Sequence, residues 1–511
     1  MTRTTNSLKN IKYNYIFEVA SILGSFISRR VFTRMLTQEY LGLNGTFASI
    51  LSMLSLAELG IGNAIIYSLY KPLGEGDRET SAALMQLYKK AYTIIGLAIA
   101  VAGFAVAPFL DVIIKDMPDI PHIRLIYLIF VFDTSLSYFF VYKQSLISAD
   151  QRQRIVSGYR QCGKILLYVF QIIGLLLTHN YFVYLGLKVT STIVINVLLS
   201  RKADRLYPWL KTVKPKPVDK ITKSEIIRNS GAMLSHKIGS VVVYGTDNLL
   251  MSAFSGVKAV GLYSNYTLVA DGLSSVYSIL FSSVTASVGN LGATENDSKY
   301  KQNIFFRLNF LSGWIYGFSS VCLVVLFNPF IKLWLDETYL LPQKLSLIIA
   351  VNFYLNGMRK VTLTFRDAFG VFWYDRYKPL AESVINLAAS ILLAKKMGIA
   401  GIILGTTIST LATSFWTEPY VLFKYGFCCS ILPFFKAYFK NTVVTVISGF
   451  IMWNICLLIP DNGIALFAVK TFVCVVGSNI FFLLAYCRSE ELKFFVQFLR
   501  NLLVKKTKKQ A

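Results

Sequence analysis

Arg29 and Arg30 are neighbouring cations inside a mainly apolar stretch, Tyr13 to Leu36. A guanidinium offers a planar, permanently charged fork that fits phosphate or carboxylate oxygens in a way a lysine cannot. Lys188, Lys237, Arg359 and Lys360 stand in comparable apolar surroundings, and together these residues form a cationic set suited to an anionic ligand. Around them runs a polar stripe. Glu18, Ser21, Ser25 and Ser28 or Arg29 recur at helical spacing, and His236, Ser240, Tyr244 and Asp247 do the same at offsets of 218 or 219 residues. A stripe of this kind is costly toward lipid, where one arginine at mid-bilayer costs roughly 2.5 to 3.5 kcal/mol, so it is expected to line a wet cavity. Serines alone also serve close helix packing, and Arg29, Arg30 and Asp247 also fit a structural ion pair. Glu58, Asp133 and Asp271 are the acidic counterweights. Each is a candidate to hold a coupling proton or sodium ion, but neutralising a nearby Arg or Lys is the favoured role.

Other chemistry is absent from the pattern. Gly158-Tyr-Arg-Gln-Cys-Gly163-Lys164 has the spacing of a phosphate-binding loop, but Ile165 replaces the hydroxyl that would hold magnesium and no strand precedes it. His122, His179 and His236 make no metal spacing, and the seven cysteines give neither a disulfide framework nor a zinc site. Without a nucleophile elbow, paired catalytic carboxylates or a long outer loop, the chain is not expected to be an enzyme or to carry a cofactor or metal.

The elements that must position these charges follow from composition. Of 511 residues 54% are hydrophobic and only 15% charged, with mean hydropathy +0.53, more than a water-facing surface permits. Segments of roughly 20 residues, the length that crosses a 30 Å hydrocarbon core, recur about fourteen times between Tyr13 and Cys487. The first is read as a membrane helix rather than a removable signal, since it carries Glu18, Arg29, Arg30 and Arg34. Of 52 Lys and Arg, 37 fall in or at the edges of alternate loops counted from the N-terminus. Lysine and arginine favour cytoplasmic loops, so both termini are expected on the cytoplasmic side. The net charge of +25 is thereby a matter of topology, and nucleic-acid binding, which needs a clustered basic face, is not expected.

The spans repeat. Tyr40-Leu-Gly-Leu-Asn returns as Val260-Gly-Leu-Tyr-Ser, Leu73-Gly74 as Leu291-Gly292, and Pro108-Phe-Leu-Asp as Pro329-Phe-Ile-Lys, at spacings of 219, 218 and 221. Three matches in order at nearly constant distance imply a duplicated six-span unit, and an even span number makes the halves parallel. The expected fold is an all-α polytopic membrane protein: an N-lobe over 1–210, a basic linker over 211–228, a C-lobe over 229–425, a C-terminal helix pair over 436–487 and a basic tail over 488–511.

Leu54-Ser-Leu-Ala-Glu-Leu-Gly-Ile-Gly-Asn-Ala-Ile-Ile66, preceded by Tyr40-Leu-Gly-Leu-Asn and followed by Gly74 to Glu79, resembles the early region of bacterial polysaccharide transporters. These belong to the multidrug, oligosaccharidyl-lipid and polysaccharide exporter (MOP) superfamily. The resemblance implies a flippase for undecaprenyl-pyrophosphate-linked oligosaccharide repeat units, acting by alternating access in the bacterial cytoplasmic membrane during O-antigen, capsule or exopolysaccharide synthesis. It implies membrane lipids, a proton or sodium ion, and a glycan polymerase or other assembly proteins as partners. Relatives in the same superfamily, multidrug or cation antiporters and lipid II flippases, are the alternatives, with a polytopic glycan polymerase behind them.

Overall fold

A computed structural model describes residues 3–58, 61–216, 239, 241–243, 245–294, 297–461 and 463–510. His236, Lys237 and Ser240, with Tyr244 of the same stripe, lie outside these residues, as does much of the expected seventh span. Every regular element among the described residues is helical. Hydrocarbon offers the backbone no hydrogen bonds, and a helix satisfies its own N–H and C=O groups.

The chain runs through α1 (Arg3–Met35), α2 (Gln38–Leu54), α3 (Ile61–Glu75), α4 (Arg78–Val106), α5 (Ile123–Ala149), α6 (Gln153–Thr178) and α7 (Tyr181–Leu206). After a helical stretch at 245–255, here α8, come α9 (Val257–Thr294), α10 (Ser298–Trp334), α11 (Gln343–Ala368), α12 (Lys378–Met397), α13 (Ile399–Ala412) and α14 (Ser414–Val421). The last three are α15 (Leu432–Leu457), α16 (Gly463–Tyr486) and α17 (Glu490–Gln510). Eight helical stretches among the described residues are long and apolar enough to cross a membrane, so the chain is a multi-pass membrane protein. The remaining expected spans fall on helices that are broken, partly undescribed, or rich in polar and charged side chains.

Breaks interrupt several expected spans among the described residues. The second, Thr46 to Tyr70, divides into α2 and α3 around a 3₁₀ turn at Ser55–Glu58. There Ser55 Oγ donates to the Leu51 carbonyl at 2.8 Å, a side-chain bond that competes with the helix ladder. The twelfth divides between α13 and α14, then loosens into a π turn at Leu422–Gly426. Pro419, which lacks the N–H that a helix needs, lies inside α14. Helix ends are marked by capping. Asp77 accepts from the Thr80 amide at 3.0 Å and its hydroxyl at 2.6 Å, bonds that hold the exposed carboxyl below the usual carboxylate range. His122 and His179 take left-handed conformations at helix junctions, and so act as turn residues.

The chain forms two compact units. The first comprises residues up to Ser264 together with Pro379–Gly405. In it α4 lies on α5, α1 on α6, and α7 on both α5 and α6. A polar ladder ties the last three together: Arg160 donates to Gln144 and Gln144 to Asn196, each at 2.6 Å. The second comprises Asn265–Lys378 and the chain from Thr406 onward. In it α10 is the centre, packed by α11, α15 and α16, with Phe305, Phe365, Phe423, Phe427 and Phe434 clustered at its start. These units cut across the lobe boundary read from the sequence, and a glycine crossing within the first unit explains why.

At that crossing Gly42 on α2 lies over the carbonyl oxygen of Val257, so close that a Cβ would collide with it. Gly261 on α9 lies over the carbonyl of Gln38, where a Cβ would come within 2.5 Å. Each glycine therefore covers the residue four positions before the other, the reciprocal contact that a twofold-related pair makes. A second contact follows the same register. Arg29 Nη1 donates to Ser264 Oγ at 2.9 Å, while the equivalents 219 residues away, Asn248 and Gly45, lie side by side with 3.8 Å between the Asn248 amide and a Gly45 Cβ. The repeat seen in the sequence thus has a contact surface, which draws the start of the second repeat into the first unit. Gly42→Ala is expected to lower thermal stability by about 1 to 3 kcal/mol through backbone overpacking. Gly186→Ala, where a Cβ meets nothing within 4 Å, is expected to leave it unchanged or raise it by about 0.5 to 1 kcal/mol. Thermal unfolding of the purified variants in detergent checks both.

Candidate substrate site

The polar face of α1 divides into a packed part and an open part. Ser21 and Ser28 are buried among protein atoms. Gly24 sits against the Tyr168 ring of α6, 2.9 Å from where its Cβ would be, and Gln161 of α6 donates to Glu18 at 3.1 Å. These residues serve close helix packing, which small side chains permit, rather than lining a cavity along their whole length. Ser25 is half-buried and returns its hydroxyl to the Ile22 carbonyl at 2.7 Å. Arg29 is half-buried against Ser264. Arg30 is exposed, and among the described residues no carboxylate stands within 4 Å of it. It lies five residues before the end of α1, roughly 8 Å along the helix axis.

Lys188 and Asp133 form a pair. The ammonium of Lys188 on α7 is 3.5 Å from Asp133 Oδ2 on α5 and 4.0 Å from the centre of the Phe130 ring, so it gains both a counter-charge and an aromatic face. Asp247 is buried in the same unit. Glu58, in the turn between α2 and α3, accepts a hydrogen bond from the Tyr92 hydroxyl. Tyr88 packs edge-on against Tyr92 at 4.6 Å. Gly62 leaves the space: a Cβ there would collide with the Tyr92 hydroxyl and come within 3.0 Å of the Glu58 carboxylate. The motif that carries the family likeness is therefore a carboxylate held among tyrosines at a helix break.

In the second unit the sequence reading counted Arg359 and Lys360 but not their surroundings. Arg359 grips Glu418 with two bonds, Nε to Oε2 at 3.0 Å and Nη2 to Oε1 at 2.7 Å. Lys378 donates to the same carboxylate at 2.6 Å and to Ser414 at 2.9 Å. Glu418 is wholly buried, so two cations compensate a charge that could not otherwise leave water. Lys360, the next residue on α11, is half-buried, and among the described residues has no carboxylate within 4 Å. Asp271 lies exposed on α9. A further pair was also missed: Arg366 holds Asp375 at 2.5 Å and Asp367 at 2.8 Å. Glu418 was legible as an acidic residue inside an apolar span, a position that by default carries a partner or a function.

No protein-family model and no curated protein sequence matches the chain. Solved structures do match in fold. The lipid II flippase MurJ in an inward closed conformation aligns with a TM-score of 0.66 at 15% identity, over 92% of this chain and 98% of that one. An inward-facing multidrug resistance MATE family transporter of the MOP superfamily aligns at 0.60 and 11% identity, over 80% and 98%. A MOP superfamily transporter from Pyrococcus furiosus, described by the reverse polarity of its binding pocket and a different function, aligns at 0.53 and 11%, over 83% and 99%. The chain shares the fold of these structures.

Glu418→Gln is expected to leave Arg359 and Lys378 buried without their counter-charge and to cost about 3 to 5 kcal/mol. The triple variant Glu418→Leu, Arg359→Met and Lys378→Met is expected to recover a large part of the loss, because apolar groups of similar volume escape desolvation. Melting temperatures of the two purified proteins compare these outcomes.

Proposed function

We propose that this chain is a flippase for undecaprenyl-pyrophosphate-linked oligosaccharide repeat units. It moves them by alternating access from the cytoplasmic to the outer leaflet of a bacterial cytoplasmic membrane, for surface polysaccharide synthesis. Both termini face the cytoplasm in this reading, the sequence repeats act as two lobes, and the substrate headgroup passes between them while the lipid tail stays in the bilayer. The observation that carries the proposal is Arg30, an exposed guanidinium within the first membrane helix beside Arg29. Hydrocarbon rejects such a group, so it faces water, and a water-facing guanidinium selects anions. Lys360 adds a second cation of the same kind. Cations of this kind suit pyrophosphate and acidic sugars and oppose cationic drugs, and the Pyrococcus furiosus structure illustrates that pocket polarity varies within this fold. Glu58, enclosed by tyrosines, is the carboxylate we assign to coupling with a proton or sodium ion.

The likeness to MurJ favours a second reading, a lipid II flippase, which shares the preference for an anionic lipid-linked sugar. Arg29→Ala and Arg30→Ala are each expected to abolish surface polysaccharide in cells lacking the native gene, with membrane insertion unchanged by immunoblot. Arg30→Lys is expected to restore only part of the signal, since a point charge loses the bidentate contact. Full glycan display by both alanine variants would remove the arginines from the substrate path. Rescue of growth in cells depleted of their lipid II flippase would favour the second reading.

A further inference from the structure

α17 is 21 residues long, yet it is not among the eight stretches apolar enough to cross a membrane. Its residues divide by face. Lys493, Gln497, Arg500 and Asn501 recur at i, i+4, i+7 and i+8, so they form one polar stripe. Leu492, Phe495, Leu499 and Leu502 fall on the opposite side by the same spacing, flanked by Val496 and Phe498. Protein covers only the start of this apolar arc. Leu492 and Phe495 pack against the cluster of Phe310 on α10 and Phe482 and Tyr486 on α16, and the Arg307 guanidinium lies 3.8 Å over the centre of the Phe494 ring. Just beyond, Val496 and Phe498 are 56% and 49% exposed.

The same contacts fix the depth of the helix. α16 ends its apolar span at Tyr486, and α17 begins four residues later. Arg307 and Lys440, the latter with its ammonium 4.8 Å from the centre of the Tyr486 ring, mark this end of the helices with cations, as is usual at the headgroup level. Glu490 and Glu491, both in the first turn, are the only acidic residues of α17. Lys493 and Arg500 are exposed, and among the described residues no carboxylate stands within 4 Å of either. Lys505, Lys506, Lys508 and Lys509 follow in the sequence of its last turns.

We propose that α17 lies in the bilayer interface and binds anionic phospholipid headgroups. The arc that rests on α10 and α16 in the first turns continues past them over lipid, and the cations meet the phosphates. A helix with aromatic and aliphatic residues on one face and lysine and arginine on the other settles at this depth, and each cation near an anionic surface strengthens the attachment. A zwitterionic bilayer accepts the apolar face but gains nothing from the cations, so charge is what selects. Neither the substrate nor the sidedness proposed above enters this inference.

Hydrogen exchange of the full-length protein, read by mass spectrometry in nanodiscs of phosphatidylglycerol or of phosphatidylcholine, tests it. Amides of residues 494–504 are expected to exchange about tenfold slower in phosphatidylglycerol. Lys505→Gln, Lys506→Gln, Lys508→Gln and Lys509→Gln together should cut that difference to about threefold or less. Phe498→Gln keeps every charge while removing a ring from the arc, and is expected to speed exchange about fivefold in phosphatidylglycerol. Equal wild-type rates in the two lipids would overturn the proposal, as would an undiminished difference in the quadruple variant or an unchanged rate in the Phe498→Gln protein. Protection that instead rises with protein concentration in detergent free of phospholipid would assign the face to a second copy of the chain and equally overturn it.

Discussion

A charge cannot be left facing hydrocarbon, and the internal arrangement of this protein follows from that constraint. At an effective dielectric far below that of water, an unpaired ion costs several kcal/mol, so a charged side chain within a span must be paired or reach water. Arg359, Glu418 and Lys378 meet the first condition, one carboxylate binding two cations inside the second unit. Lys188 with Asp133 does so in the first unit, and Lys470 with Asp461 in the C-terminal helix pair. In the function proposed above, Arg30 and Lys360 meet the second. What separates scaffold from site is therefore how a cation's cost is met. Those satisfied by carboxylates hold helices together, and those satisfied by water remain able to exchange that water for an anion.

Close packing imposes a second condition, met largely by glycine. Without water to drive helices together, association in a membrane depends on short approach between backbones. The Gly42 and Gly261 crossing is the tightest instance with symmetry, each glycine lying over a carbonyl of the opposite repeat. Gly24 on Tyr168 and Gly103 on Val131, with 2.6 Å to a Cβ built there, do the same for α1 on α6 and α4 on α5. The serines Ser21 and Ser28 belong with these glycines, as small residues in a packed seam.

The membrane helices were legible in the sequence because hydropathy averaged over a span is a strong signal, and the 219-residue repeat was legible because its glycines carry a steric requirement that few residues meet. Glu418 is legible only residue by residue, as an acidic side chain inside an apolar span, since one carboxylate disappears into the average over Ile399 to Phe423. The 3₁₀ turn at Ser55–Glu58 was hidden for a related reason, as a break of four residues leaves hydropathy unchanged while redirecting the chain. Grouping of the first turns of α9 with the first unit depends on contacts between residues more than two hundred positions apart, which local pattern does not record. The sequence singled out Arg30, Lys360 and Arg359 alike as cations in apolar surroundings, and only geometry showed that the charge of Arg359 is taken by Glu418.

The central claim is that the adjacent arginines of α1 handle an anionic lipid-linked glycan. Its most direct test is reconstitution of the purified protein in liposomes with a fluorescent undecaprenyl-pyrophosphate-linked oligosaccharide, measuring how much label a membrane-impermeant quencher can reach over time. The account predicts that label moves between quencher-accessible and protected leaflets faster in liposomes containing the protein than in protein-free ones. A rate equal to that of empty liposomes, in a preparation that accumulates an organic cation against an ion gradient, would contradict it.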